Sequence, residues 1–261
     1  YGPSTGTVEL RNAIAAKLLR DEGVTYDPAS EILVTHGGIH AYYLAMQSIL
    51  NPGDDVLIPD PSWATHSNMA IMLRGNVIRV PAPADNGFIP HFDSCLKALT
   101  PKTKVIVLNY PSNPTGAYPS REYLQRLQDF AKEHNLWIVS DEVYGSLYYG
   151  ERPTSAAAFD GAKERTILVN SLSKSYAMTG WRVGFAVGHP ELIAGLGKVK
   201  TNVDSGVFQA VQEAAIAALT GDPGVVERMR STYRERRDVL VAGLAGVGLP
   251  CEAPSGTFYV W

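Results

Sequence analysis

Lys174 sits in the run N-S-L-S-K-S-Y-A-M-T-G-W-R, Asn170 to Arg182, which follows one apolar β-branched stretch and ends just before another. Among small and polar neighbours at the end of a strand, a lysine amine can be held near a carbonyl carbon and tuned into a nucleophile. Standing alone, such a lysine reads as a surface residue. Its neighbours change that reading. Ser171, three residues before it, and Arg182, eight after it, supply a hydroxyl and a guanidinium suited to one phosphate. A phosphate anchor beside a reactive amine suggests a phosphorylated aldehyde as ligand.

Other segments add polar groups of the right kinds. In V-S-D-E-V-Y, Asp141 comes just after the apolar run Leu136 to Val139. An acid there is either a helix cap or, at the carboxyl end of a strand in an open α/β sheet, a group facing the ligand crevice, and spacing alone leaves the two even. Paired with a pyridinium nitrogen, its carboxylate would keep that nitrogen protonated so that the ring can accept the electrons of a carbanion. Tyr144, three residues on, offers a phenol to a ring hydroxyl. In N-Y-P-S-N-P-T-G, Asn109 to Gly116, a rigid turn explains the prolines without any function, yet it also fixes the Asn113 amide as a donor of set direction. Both X-Pro bonds there are open to either isomer. Gly37 and Gly38, in V-T-H-G-G-I-H-A, lead from a strand into a helix whose first N–H groups can point at an anion. His36 and His40 stand four apart there without a partnering carboxylate motif, and no metal site is expected. Trp63, in D-P-S-W, is either core or a flat surface on which a heteroaromatic ring can stack.

These residues need a scaffold, and the chain alternates short β-branched runs with longer segments of helical period, the signature of βαβ units and a mainly parallel sheet covered by helices. Seven strands are expected: Glu31 to Thr35, Asp55 to Ile58, Val77 to Val80, Lys104 to Leu108, Trp137 to Ser140, Thr166 to Val169 and Val183 to Val187. Val8 to Leu19, Ile39 to Leu50, Glu122 to His134 and Glu191 to Val199 carry apolar residues at spacings of three and four, as covering helices should. Val225 to Leu244 is a long helix leading away from the sheet. Its Arg228, Arg230, Arg234, Arg236 and Arg237 are expected on a solvated face. Thr257 to Trp261 reads as the start of a further strand. The expected division is a large cofactor-binding domain over residues 1–222, then an interdomain helix and the incomplete beginning of a smaller α+β domain over 223–261.

Of the 261 residues, 45% are hydrophobic and 19% charged, with a net charge of -3, an ordinary globular profile that argues against disorder. The slightly acidic balance leaves no footprint for nucleic acid, and the apolar runs are too short to span a bilayer. A small-molecule partner and a cytoplasmic location are expected. Cys95 and Cys251 stand far apart in no CxxC pair, so neither a disulfide framework nor a zinc site is indicated.

Taken together, these segments resemble the class I and II aminotransferases of the fold-type I pyridoxal-phosphate enzymes over essentially the whole chain. The pattern S-x-S-K-x-x-x-x-x-G-x-R at Ser171 to Arg182 is specific, and it follows S-N-P-T-G and D-E-V-Y in the family's order. The resemblance implies pyridoxal 5'-phosphate (PLP) held by Lys174 as a Schiff base, with Lys174 also the catalytic base and acid. Asp141 matches the partner of the pyridinium nitrogen, Tyr144 and Asn113 the ligands of the ring oxygen, and Trp63 the stacking aromatic. Gly38, Ile39, Ser171 and Arg182 match the phosphate cup, the first two through backbone N–H groups. Tyr1, in Y-G-P-S-T-G-T, resembles a tyrosine that reaches the phosphate of a neighbouring subunit, which implies a homodimer with shared active sites. The family's arginine for the substrate carboxylate belongs to a C-terminal small domain, whose entrance the final P-S-G-T-F-Y-V-W resembles. The implied reaction moves an amino group from an L-amino acid to a 2-oxo acid. A β-eliminating or C–S-cleaving lyase using the same site, and a non-catalytic effector-binding domain of a transcription regulator, are the alternatives.

Overall fold

The computed structural model describes residues 2–261, so Tyr1 and the role expected for it lie outside the described residues. In chain order the elements are α1 (Val8–Glu22), β1 (Ile32–Thr35), α2 (Gly38–Ile49), β2 (Asp55–Asp60), α3 (Ala64–Met72), β3 (Asn76–Pro81), α4 (Phe92–Ala98), β4 (Thr103–Asn109), α5 (Arg121–Glu133), β5 (Trp137–Asp141), β6 (Thr166–Ser171), α6 (Leu172–Ser175), β7 (Gly184–Val187), α7 (Pro190–Lys200), α8 (Gln209–Thr220) and α9 (Gly224–Gly246). The seven strands form one sheet in the order β1-β7-β6-β5-β4-β2-β3. Strands β2 to β6 run parallel, and β7 lies antiparallel between β6 and β1.

The sheet is covered on both faces, which is why its strands read as continuous apolar runs rather than alternating ones. Period two still sorts the side chains. Val105, Val107 and Val139 pack with Leu44 and Leu196 under α2 and α7. Ile106, Leu108 and Ile138 pack with Leu124 and Leu127 of α5 on the other face. Leu10, Ile14 and Leu18 of α1 join Ala215 and Leu219 of α8 over Val34, Leu168 and Phe185. Helix α1 is capped by the Thr7 side chain and α5 by Ser120.

The same alternation at the end of β5 sends Asp141 to one face and Glu142 to the other. Glu142 is buried and accepts hydrogen bonds from Ser140 Oγ at 2.9 Å and the Ala156 N–H at 2.8 Å. Burial, with the charge of Glu22 as a lesser cause, pushes its carboxyl up to about 8. The folded state therefore holds a proton that the unfolded chain has already lost at neutral pH. Stability from this group is fully present below the ordinary carboxylate range and falls as pH rises towards 8. Glu142→Gln, which keeps the shape and the acceptor, is expected to gain on the unmodified protein as pH rises from 5 to 9. The relative gain is at most about 5 kcal/mol, at 1.36 kcal/mol per unit, and denaturant unfolding at the two pH values measures it.

Two expectations change. Thr257 to Trp261 forms no strand; the one isolated bridge nearby, Tyr148 with Gly256, ends just before it. Thr257 adopts φ of 64°, a left-handed conformation that breaks an extended run, and its N–H donates to the Leu147 carbonyl. The arginines of α9 are not all solvated either. Arg230 lies over the Tyr148 ring at 4.1 Å, while Arg237 lies over Tyr149 at 4.5 Å and donates to the Pro254 carbonyl. Arg228, Arg234 and Arg236 remain exposed.

Candidate active site

The carboxyl ends of β4, β5 and β6, adjacent in the sheet, deliver three of the segments to one cleft, as open α/β sheets do with their ligands. The cleft is about 290 Å³ and is lined by Gly38, Ile39, Trp63, Asn113, Asp141, Tyr144, Ser171, Lys174 and Arg182. Every described residue that the sequence singles out for the cofactor is therefore in one place. Asn109, Val143, Ser173, Thr179 and Tyr259 complete the wall.

Lys174 lies on the single turn α6, immediately after β6. Ser171 caps that turn by accepting from the Ser173 N–H at 3.1 Å, and Thr179 Oγ1 donates to the Ser173 carbonyl at 2.9 Å. The lysine amine faces two aromatic rings, Tyr144 at 5.7 Å and Phe258 at 5.4 Å from their centroids. Burial lowers its pKa and the nearby Arg182 guanidinium lowers it further, against an opposing pull from Asp141. The neutral amine is thus favoured relative to a solvated lysine.

Asp141 is buried at the floor. Its Oδ2 lies 3.1 Å from His66 Nε2, and its Oδ1 accepts from the Val143 N–H at 3.3 Å. His66 is buried on α3, with Trp63 edge-on to it and Tyr42 beneath. Asn109 pairs with Asp141 across β4 and β5, and its Oδ1 accepts from the Asn113 N–H at 3.0 Å, fixing the turn that carries Asn113. The Tyr110-Pro111 and Asn113-Pro114 bonds are both cis.

The opposite end of the cleft is built for an anion. No side chain caps α2, whose first N–H groups include those of Gly38 and Ile39. Arg182 lies against Gly37 so closely that a Cβ there would come within 2.5 Å of its guanidinium, and a Cβ on Gly184 would strike Gly37 at 2.6 Å. Only glycine permits that cradle. The Ser171 hydroxyl is shared between the α6 cap, the Val183 carbonyl at 3.0 Å and Ser173 Oγ at 2.9 Å. Ser173 is thus a second hydroxyl at the phosphate end.

His36 and His40 stand outside the cleft wall and approach Asp204 at 3.9 and 3.6 Å. Among the described residues no group of three or more His, Cys, Asp or Glu could hold a metal ion, and no helix is long and apolar enough to cross a membrane.

An anion cradle with uncapped N–H groups, a desolvated amine, a buried carboxylate and a cleft of small-molecule size fit PLP group by group. Ser173, His66 and Tyr259 escaped the sequence reading. Ser173 carried a signal, since it lies inside the S-x-S-K pattern. His66 and Tyr259 are far from that pattern in sequence and carried none.

The family model for aminotransferase class I and II matches residues 1–261. The LL-diaminopimelate aminotransferase of Aquifex aeolicus (strain VF5) is 44% identical over 265 residues, covering 100% of this chain and 68% of that protein. Among solved structures, the aromatic aminotransferase from Pyrococcus horikoshii OT3 superposes with a TM-score of 0.95 at 38% identity, covering 100% of this chain and 70% of that one. A double mutant of Thermus thermophilus aspartate aminotransferase gives 0.95 at 39%, covering 100% and 68%. The chain belongs to the class I and II aminotransferases, enzymes that depend on PLP and move amino groups between small amino acids and oxo acids.

Proposed function

We propose that Lys174 is the amine that holds PLP as a Schiff base in this aminotransferase and that the cleft residues act in the roles their chemistry suits. The observation that carries the reading is the placement of the partly desolvated Lys174 amine and the buried Asp141 carboxylate in one cleft with the Gly37–Arg182 cradle. When bound, PLP supplies an aldehyde that captures amino groups and a ring that accepts the electrons of a carbanion.

The chain's own residues do the rest. Gly38 and Ile39 N–H groups, Ser171, Ser173 and Arg182 grip the phosphate. Asp141, held by His66, keeps a proton on the ring nitrogen. Asn113 and Tyr144 donate to the ring oxygen, and Trp63 covers a ring face. Lys174 Nζ takes a proton from the substrate α-carbon and later returns it. We assign residues 1–222 to the cofactor-binding domain and 223–261 to an interdomain helix and the beginning of a smaller domain. A homodimer is supported by exposed Ile39, Trp181, Val203 and Phe208, and a cytoplasmic location by the unpaired Cys95 and Cys251.

Arg182→Ala is expected to weaken PLP binding by roughly ten- to a hundredfold, the worth of a charge-assisted phosphate contact. Equilibrium titration of the visible band measures it. The function itself is tested by loading the protein with PLP, reducing with borohydride and mapping the labelled peptide. A label confined to Lys174 supports the reading, and a label spread over surface lysines overturns it. The names of the relatives make LL-diaminopimelate with a 2-oxo acid the first substrate pair to assay. Pyruvate and ammonia released without any 2-oxo acid would instead indicate a lyase.

A further inference from the structure

The Tyr259 hydroxyl lies 2.8 Å from that of Tyr144. The segment that brings it there is fixed from several sides. Tyr149 donates its N–H to the Ser255 carbonyl at 2.9 Å, and the Thr257 N–H donates to Leu147 at 2.8 Å. The Tyr149 hydroxyl donates to the Thr257 carbonyl, and a Cβ on Gly116 would come within 2.5 Å of Pro254. The left-handed turn at Thr257 then lets both Phe258 and Tyr259 pack on Tyr144, with centroids 5.5 and 5.8 Å away.

We propose that Tyr259 is a positioning residue for the cofactor site: its hydroxyl donates to the Tyr144 oxygen and commits the one Tyr144 proton to the cofactor's ring oxygen. This rests on the assignment of Tyr144 and Lys174 made above. A phenol has a single proton and accepting lone pairs. Two phenols at this separation share one proton between them, so either can be the donor. A charged ring oxygen beyond Tyr144 removes that choice and aligns both protons towards itself. Aligned hydrogen bonds polarise one another, and Tyr144 becomes the stronger donor for having Tyr259 behind it. Burial pushes the Tyr144 phenol up from its ordinary range, which keeps it protonated and able to donate.

The test is the pH titration of the visible absorbance band of the PLP-loaded protein. A donor to the ring oxygen favours the deprotonated form of the lysine-linked chromophore, in which that oxygen's charge is least shielded, so losing the donor raises the apparent pKa. Tyr144→Phe is expected to raise it most. Tyr259→Phe, which keeps the ring and its packing on Phe258, is expected to raise it by about half a unit to one unit. Tyr259→Phe is expected to add nothing in a Tyr144→Phe background, because it acts only through that hydroxyl. An unchanged titration in Tyr259→Phe, or an equal shift with and without the Tyr144 hydroxyl, overturns the proposal. Loss of the band in Tyr259→Phe while Tyr144→Phe retains it does so too. Failure of borohydride to label Lys174 in the unmodified protein is a separate result, and it overturns the cofactor assignment instead.

Discussion

Lys174→Ala is expected to lower transamination by at least roughly a thousandfold and to abolish the borohydride label. The size follows from asking one side chain for two things. In the proposed role its amine attaches the cofactor and carries the proton at the substrate α-carbon; among the described residues no other lysine lines the cleft. The phosphate grip does not involve the amine, so PLP is expected to bind the variant still, without a covalent link. That separates the loss from misfolding. A retained, reversible PLP complex with no turnover is the expected pair of results, and full turnover in the variant would sink the assignment. The lowered pKa adds a check. PLP condensation with Lys174 is expected to follow a pH profile with its midpoint below the ordinary lysine value of 10.5, because burial and Arg182 both disfavour the ammonium. Replacing Arg182 by alanine moves that midpoint back up.

Much of this is legible in the sequence. Seven β-branched runs became seven strands, each within about two residues of its expected limits, because a parallel sheet covered on both faces imposes continuous apolarity over short windows. Five of the helices were equally plain from their period. The short α4 carries too few turns for a period to show. Helix α8, Q-A-V-Q-E-A-A-I-A-A-L-T, is alanine-rich and gives a weak polar–apolar contrast.

The cleft was legible where its residues fall on strand ends. Lys174, Asp141 and Asn113 follow directly from strands, and their positions in the sheet order bring them together. What sequence spacing cannot supply is contact between segments far apart in the chain. His66 meets Asp141 across 75 residues and Tyr259 meets Tyr144 across 115, through packing that no local pattern encodes. The end of the chain misled for the opposite reason. T-F-Y-V-W has the composition of a strand, but close packing of Pro254 and Gly256 against Gly116 and Pro111 forces a turn where propensity favours extension.

Asp141→Asn is expected to be nearly as damaging as loss of the lysine, by a different route. The amide keeps the size and the contact with Val143, yet it carries no charge with which to hold a proton on the ring nitrogen. Without that proton the ring is a poor electron sink, and the cost falls on the transition state rather than on binding, by about two to four orders of magnitude in kcat. The cofactor is expected to remain attached to Lys174 in this variant, so the label survives while turnover collapses, whereas Lys174→Ala loses both. His66 supports the carboxylate from behind, and His66→Ala is expected to cost about ten- to a hundredfold, as partners one step removed from a reacting group do. Among the described residues His66 Nδ1 has no hydrogen-bond partner, so its hold on Asp141 runs through Nε2. If His66 works only by fixing the carboxylate, its removal adds little once Asp141 is asparagine. Near-additive losses in the double variant would mean that the histidine acts on the site by some other path.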